Sequence, residues 1–296
     1  MSERTATLLV ALSAGAWGTW SLFSRSSGVA PIWQSSFILL VIGLCTLPLA
    51  LASTRQAPPR ARTLWLLVLL LGLFDAGNYV FFFSAIERGP VGVAVLAHYL
   101  APVIVAALAP ALLGEALGRR TPGALLASLV GLGLLLFGSG RSQAGALPAA
   151  LLGGASAFFY AGNTLVSKRL LGPFTGAELL SYHCLLASLL LAGAAPFVAG
   201  PAPALGLLLG KTLAGALLLG CGAGAVFYLG LARIPAQRAA VLTYFEPLVA
   251  ALVGVLAWGE RLDALSVLGA VLIVAGGVLV ATADDGAVGA TPGASG

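Results

Sequence analysis

Residues 96–117, LAHYLAPVIVAALAPALLGEAL, return in altered form 145 positions later as residues 241–262, VLTYFEPLVAALVGVLAWGERL. Tyr99 maps onto Tyr244, Pro102 onto Pro247, Gly114 onto Gly259 and Glu115 onto Glu260. The same proline-bearing apolar helix with a Gly-Glu ending, carried twice half a chain apart, marks an internal duplication. A second match extends it: GTWSLFSR at residues 18–25 resembles GNTLVSKR at residues 162–169, at an offset of 144. The chain must therefore fold as two versions of one unit.

The solvent of that unit follows from composition. Hydrophobic residues make up 59% of the 296 and charged residues only 8%, against about 25% charged in a soluble domain. Mean hydropathy is +1.03, and apolar runs of about 20 residues recur, the length needed to cross a hydrocarbon layer. Breaking the chain at charges and Pro/Gly clusters predicts ten spans: 5–24, 33–52, 63–86, 91–113, 122–138, 147–167, 176–199, 213–231, 236–258 and 265–281. The expected fold is an all-α integral membrane protein of ten transmembrane helices. Residues 1–141 form a first repeat of five helices, 142–281 a second, and the Gly/Ala/Asp-rich residues 282–296 a disordered tail.

Five spans per half is an odd number, so the second repeat enters the bilayer in the opposite sense. A five-plus-five inverted repeat follows, and folds of that kind place their substrate near the midplane, between the repeats. Ten spans put both termini on one side. The loops of that side carry ten of the fifteen Lys and Arg residues, which makes it cytoplasmic by the positive-inside rule. The first span, uncleaved, begins a multi-pass protein expected in a bacterial inner membrane.

The net charge of +5 does not point to nucleic acid, because the basic residues are scattered between apolar runs as orientation signals. Cys45, Cys184 and Cys221 lie inside apolar runs without metal-ligand spacing, so neither a disulfide framework nor a metal site is expected. No cofactor motif stands out, and no phosphate-cradling Gly-x-x-x-x-Gly-Lys loop is present.

Two copies of an aromatic-x-x-Pro helix ending in Gly-Glu, each followed by a Gly-rich helix, carry a family resemblance. Their residues are Tyr99, Pro102, Gly114, Glu115 and Gly131, then Tyr244, Pro247, Gly259, Glu260, Arg261, Leu262 and Gly276. In these features the chain resembles the drug/metabolite transporter superfamily, in particular its EamA-domain branch of ten-helix carriers, from residue 5 to about residue 281. The resemblance implies a central cavity lined by helices 1, 3, 4, 6, 8 and 9, and movement of small metabolites, often outward. It fixes no substrate, and the first repeat departs from the pattern by ending Gly-Glu-Ala-Leu.

Ionisable side chains inside spans are costly, so each is a site candidate. Asp75, Asn78, Tyr79 and Phe82 share one face of the third span; that face either lines a cavity or lets Asp75 pair with a neighbouring helix. His98 and Tyr99 precede Pro102, which lacks an N–H and leaves the His98 carbonyl without its helical donor. The site there is a ligand contact, a hinge, or simple packing. Pro247 is expected to free the Thr243 carbonyl in the same way. Beside it stands Glu246, the strongest candidate, where the first repeat has only Ala101. A carboxyl at low dielectric resists ionisation and can exchange a proton, coupling transport to a proton gradient. Alternatively it grips a substrate ammonium group, or is a buried carboxyl bonded to Tyr or Asn. The repeat sharpens the choice, because Asp75 maps to Gly220 and His98 to Thr243. Charges that break a symmetric scaffold are poorly explained as scaffold.

The first and sixth spans carry matching stripes at i, i+4, i+7, i+11: Ser13, Trp17, Trp20 and Ser24, and Ser156, Tyr160, Asn163 and Ser167. Such stripes suit a cavity wall for an amphiphilic solute, with interfacial anchoring as the other reading for tryptophan. Tyr228 is expected to close the cytoplasmic end against Tyr160. Glu178, Tyr182 and His183 are read as structural, with Glu178 hydrated near the interface, and Glu115, Glu260 and Arg261 as sealing or turn residues.

The function expected is a secondary carrier that exports a small polar or amphiphilic metabolite by alternating access, amino acids or related compounds being favoured. Its partners are that small molecule, the lipid bilayer and, as coupling ion, protons; a monomer and a homodimer both fit. A channel or uniporter is the other transport class, and an integral-membrane enzyme using Asp75, His98 or Glu246 is disfavoured because no nucleophile–base–orienter set is present.

Overall fold

The computed structural model describes residues 1–24, 28–88, 91–137, 145–259 and 263–282. Among them nine helices are long and apolar enough to cross a bilayer: α1 Glu3–Phe23, α2 Pro31–Gln56, α3 Arg62–Ala85, α4 Val93–Leu113, α6 Leu147–Leu170, α7 Gly176–Ala199, α8 Lys211–Leu231, α9 Ala236–Ala257 and α10 Ala264–Ala281. The tenth, α5 Thr121–Phe137, is a 17-residue apolar helix, about 25 Å at 1.5 Å per residue. No strand occurs among the described residues, and each helix falls on one of the ten expected spans. The Glu-Arg-Leu that follows Gly259, at residues 260–262, the tail from residue 283 and the side chain of Ser24 lie outside the described residues.

The packing obeys the duplication. α2 lies against α7 and α5 against α10, each helix beside its own repeat mate, while α3 packs on α6 and α8 on α1. Exchanging the repeats turns α2–α7 and α5–α10 into themselves and α3–α6 into α8–α1, as a pseudo-two-fold axis requires. The close α5–α10 approach needs two glycines that are themselves repeat mates. A Cβ at Gly131 would lie 2.6 Å from the Gly269 carbonyl oxygen, and one at Gly276 would lie 2.8 Å from that of Ala124. Outward faces keep large apolar side chains such as Leu147, Phe197 and Leu256 exposed, which a hydrocarbon solvent accepts.

Besides α1, which turns at Gly18–Trp20 and resumes at Ser21, three helices depart from regularity. α4 breaks at Tyr99–Leu100 and resumes at Ala101, and α9 breaks at Thr243–Tyr244 and resumes at Phe245. Each break puts its proline, Pro102 or Pro247, in the first turn of the resumed helix, where a missing N–H costs nothing. Both resumed helices end on a glycine in the left-handed region, Gly114 at φ 69° and Gly259 at φ 67°, a conformation that a Cβ would strain. The expectation that Pro247 frees the Thr243 carbonyl is corrected: that oxygen accepts from the Glu246 N–H at 3.0 Å, because the tightened break supplies an i+3 donor. In α8, residues Ala216–Ala223 widen into a π-helical stretch, which the apolar run did not foretell.

Candidate functional site

α6 is the spine of a polar centre at the junction of the repeats. Its stripe reaches four other helices. The Ser156 hydroxyl meets His98 Nδ1 of α4 at 2.7 Å, and the Tyr160 ring stacks on that imidazole with centroids 5.1 Å apart. Tyr160 also hydrogen-bonds to Thr243 of α9. Asn163 donates Nδ2 to Asp75 Oδ1 of α3 at 3.4 Å, and Ser167 meets the Tyr228 hydroxyl of α8 at 3.0 Å. The i, i+4, i+7, i+11 spacing keeps all four on one helical face.

A fifth helix joins through His183, for which the sequence alone supports only a structural role. His183 of α7 places Nδ1 3.2 Å from Asp75 Oδ2 and Nε2 3.2 Å from the Tyr228 hydroxyl. A neutral imidazole protonated at Nδ1 satisfies both, donating to the carboxylate and accepting from the phenol. Asp75, Asn163, Ser167, Tyr228 and His183 thus tie α3, α6, α7 and α8 together, and both oxygens of Asp75 have protein partners. The signal was available in principle: a carboxylate at mid-span needs a donor, and the chain has only two histidines. With Cys184, Asp75 and His183 also bring three metal-ligating atoms within 4.8 Å of one another.

Glu246 is held differently. Among the described residues its side-chain hydrogen-bond partner is the Tyr99 hydroxyl, and it also acts electrostatically on Tyr79 and Tyr160. Tyr244 donates its hydroxyl to the Tyr99 carbonyl at 2.8 Å, with the two rings 5.7 Å apart. His98 is ringed by Phe82, Tyr99 and Tyr160, with centroids 4.6, 5.3 and 5.1 Å away. The α3 face therefore does turn inward, and on it Asn78 Oδ1 is buried with no hydrogen-bond partner among the described residues. Tyr79, Tyr160, Asn163 and Glu246 are only half-buried, so they border open space.

The matching stripe of α1 goes elsewhere. Trp17 donates its indole N–H to the Leu219 carbonyl at 3.0 Å and packs on Phe227 at 5.0 Å, both in α8. The π-helical turn offers that carbonyl to a side chain, so the indole N–H of Trp17 is spent on helix packing, while the next residue, Gly18, lies against the Glu246 backbone. Ser13 turns back to the Leu9 carbonyl. Tyr228, expected opposite Tyr160, instead faces His183 and Ser167. Glu178, expected to be hydrated, is wholly buried: Arg60 grips both its oxygens at 2.8 and 3.0 Å, and Thr54 and the capping-box Thr175 complete its shell.

The end of the bundle bearing the N-terminus is closed by side chains bonded to backbone. Glu115 Oε2 accepts from the Ala236 N–H at 2.7 Å, at the first turn of α9, where no side chain caps the helix. Lys168, 3.9 Å from the other Glu115 oxygen, donates to the carbonyls of Leu231 and Ile234 at 2.7 and 2.6 Å. Gln237, two residues after the N-cap Pro235 that offers α9 no side-chain acceptor of its own, bonds the Ala116 carbonyl and the Gly118 N–H, and Arg169 reaches the Leu112 carbonyl. Burial pushes the Glu115 carboxyl above the usual carboxylate range, against the opposing pull of the Ala236 N–H and the Lys168 ammonium. Arg238 pairs with Glu3 at 2.6 Å on the same end.

The sequence pattern of the EamA-like transporter family matches this chain twice, at residues 4–137 and 147–282. Among curated proteins it is similar to the uncharacterized transporter YwfM of Bacillus subtilis, 30% identical over 284 residues and 93% of each chain. It is also similar to an uncharacterized transporter of Archaeoglobus fulgidus, 31% identical over 281 residues, covering 92% of this chain and 94% of that one. A crystal structure 24% identical in sequence shares the fold with a TM-score of 0.79, over 95% of this chain and 99% of the other.

Proposed function

Because the chain belongs to the EamA-like transporter family and is a multi-pass membrane transporter, we propose that it is a secondary carrier exporting small polar or amphiphilic metabolites. Amino acids or related amino compounds are the favoured cargo. One observation carries this reading: Glu246, a carboxyl with one side-chain partner, lies where broken helices α4 and α9 of opposite repeats meet. Broken helices at a repeat interface are where inverted-repeat carriers hold substrate. The breaks at Tyr99–Leu100 and Thr243–Tyr244 supply the hinges for alternating access, with Pro102 and Pro247 fixing where each helix restarts. Lys and Arg bias assigns the sealed end, which bears the N-terminus, to the cytoplasm of a bacterial inner membrane. A proton on Glu246, exchanged for substrate, would supply the coupling.

The test is counterflow in proteoliposomes, after thermal-shift screening of the purified protein against amino acids, nucleosides, vitamins and quaternary amines. Saturable counterflow of a stabilising compound, lost in Glu246→Gln with folding intact, is the expected result. Flux that neither saturates nor shows counterflow would instead make the protein a channel, and full activity of Glu246→Gln would remove the site.

A further inference from the structure

Two groups in the polar centre have most of their acceptor capacity left over. Asp75 is better supplied, because Asn163 and His183 put a protein partner on each of its oxygens, at 3.4 and 3.2 Å. Glu246 has the Tyr99 hydroxyl as its side-chain partner, although a carboxylate can accept about four hydrogen bonds. Asn78 Oδ1 is buried and has none among the described residues, a state that costs free energy unless something donates to it. The surroundings are aromatic: Tyr79, stacked on Phe83 at 6.0 Å, together with Phe82, Tyr99 and Tyr160. Every described Lys and Arg stands in a loop or within a few residues of a span end. An anionic group at this depth would therefore meet two carboxyls and no described Lys or Arg.

We infer that the site selects an organic ammonium ion with an apolar or aromatic body and no carboxylate, that is, an amine in preference to the amino acid of the same skeleton. The inference rests on the carrier reading and narrows its cargo. The ammonium group supplies three donors, enough for Glu246 and the Asn78 carbonyl together, and lies against aromatic faces that favour a cation. A zwitterion gains the same ammonium contacts. Its carboxylate must then be desolvated beside Asp75 and Glu246 without a counter-charge, which is the penalty that selects against it.

Three probes with one phenyl-alkyl skeleton test it on the purified full chain: 2-phenylethylamine, L-phenylalanine and 3-phenylpropionate. Thermal stabilisation should saturate with 2-phenylethylamine at a Kd at least about tenfold below that of L-phenylalanine, the scale of one charged hydrogen bond. No stabilisation should occur with 3-phenylpropionate. Glu246→Gln should abolish the preference, and Asn78→Ala should weaken both probes that carry an ammonium group; the second variant serves if the first does not fold. Equal or tighter binding of L-phenylalanine, binding of the acid, no amine binding, or amine binding indifferent to both variants would each overturn the inference. The carrier reading is judged separately in proteoliposomes. Counterflow of L-phenylalanine with no amine selectivity removes the inference and keeps the carrier, whereas amine binding at Glu246 without counterflow does the reverse.

Discussion

Tyr244 donates its hydroxyl to the backbone carbonyl of Tyr99, its own counterpart in the other repeat, at 2.8 Å. The bond runs one way only. Tyr99 turns its hydroxyl to Glu246, the residue whose repeat counterpart is Ala101. Two tyrosines at equivalent positions thus do different work, one bridging the repeats and the other holding the carboxyl that breaks their symmetry.

Tyr244→Phe keeps the ring contact and removes the bridge, leaving a buried carbonyl without its partner. A loss of about 1–3 kcal/mol in unfolding free energy is expected. Tyr99→Phe should leave stability nearly unchanged and alter ligand binding at Glu246. Denaturant titration of both variants beside a binding isotherm separates the roles, and equal stability losses would contradict the division.

Glu115→Ala removes the acceptor that covers the first turn of α9. Hydrogen exchange at the Ala236 amide should rise by at least about tenfold, the equivalent of one lost hydrogen bond, while amides in the middle of α6 stay protected. Unchanged exchange at Ala236 would show that the closed end does not depend on this carboxylate.

Arg60 and Glu178 have side chains only 9% and 0% exposed. Arg60→Ala strands a buried charge and should cost roughly 3 kcal/mol or more. Replacing both with methionine should recover most of that loss. A double-mutant cycle reads the difference, and a single variant as stable as the parent chain would show that Thr54 and Thr175 suffice for Glu178.

Gly131 and Gly133 lie two positions apart on α5 and should respond oppositely to alanine. At Gly131 the added Cβ meets the α10 backbone, so α5 and α10 must separate, at about 1–3 kcal/mol. At Gly133 nothing lies within 4 Å, and helix propensity should make the change neutral or stabilising by up to about 1 kcal/mol. Melting curves of Gly131→Ala and Gly133→Ala make the comparison.

The ten spans were legible because their cause is local: a run of about 20 apolar residues can satisfy its backbone in lipid only as a helix. The α6 stripe was legible for the same reason, since spacing alone decides that Ser156, Tyr160, Asn163 and Ser167 share a face. What covers a face is a long-range matter. Trp17 and Tyr160 occupy equivalent stripes, yet the partner of Trp17 is a carbonyl 202 residues away, opened by a widened turn that hydropathy does not encode. His183 and Glu178 were undervalued because one had its partner on α3 and the other beyond the end of α2. The same limit explains Tyr228, whose partners are Ser167 and His183 rather than Tyr160.

The closed end has a consequence for how such proteins diverge. Glu115, Lys168, Arg169 and Gln237 all reach main-chain atoms, at residues 112, 116, 118, 231, 234 and 236. A lock that grips peptide groups is indifferent to which side chains hang from them. Those six positions are free to drift, provided that the chain keeps its path, and four side chains suffice to preserve the lock. Lineages can in this way rewrite most of their lipid-facing and loop residues and still inherit the same closed end.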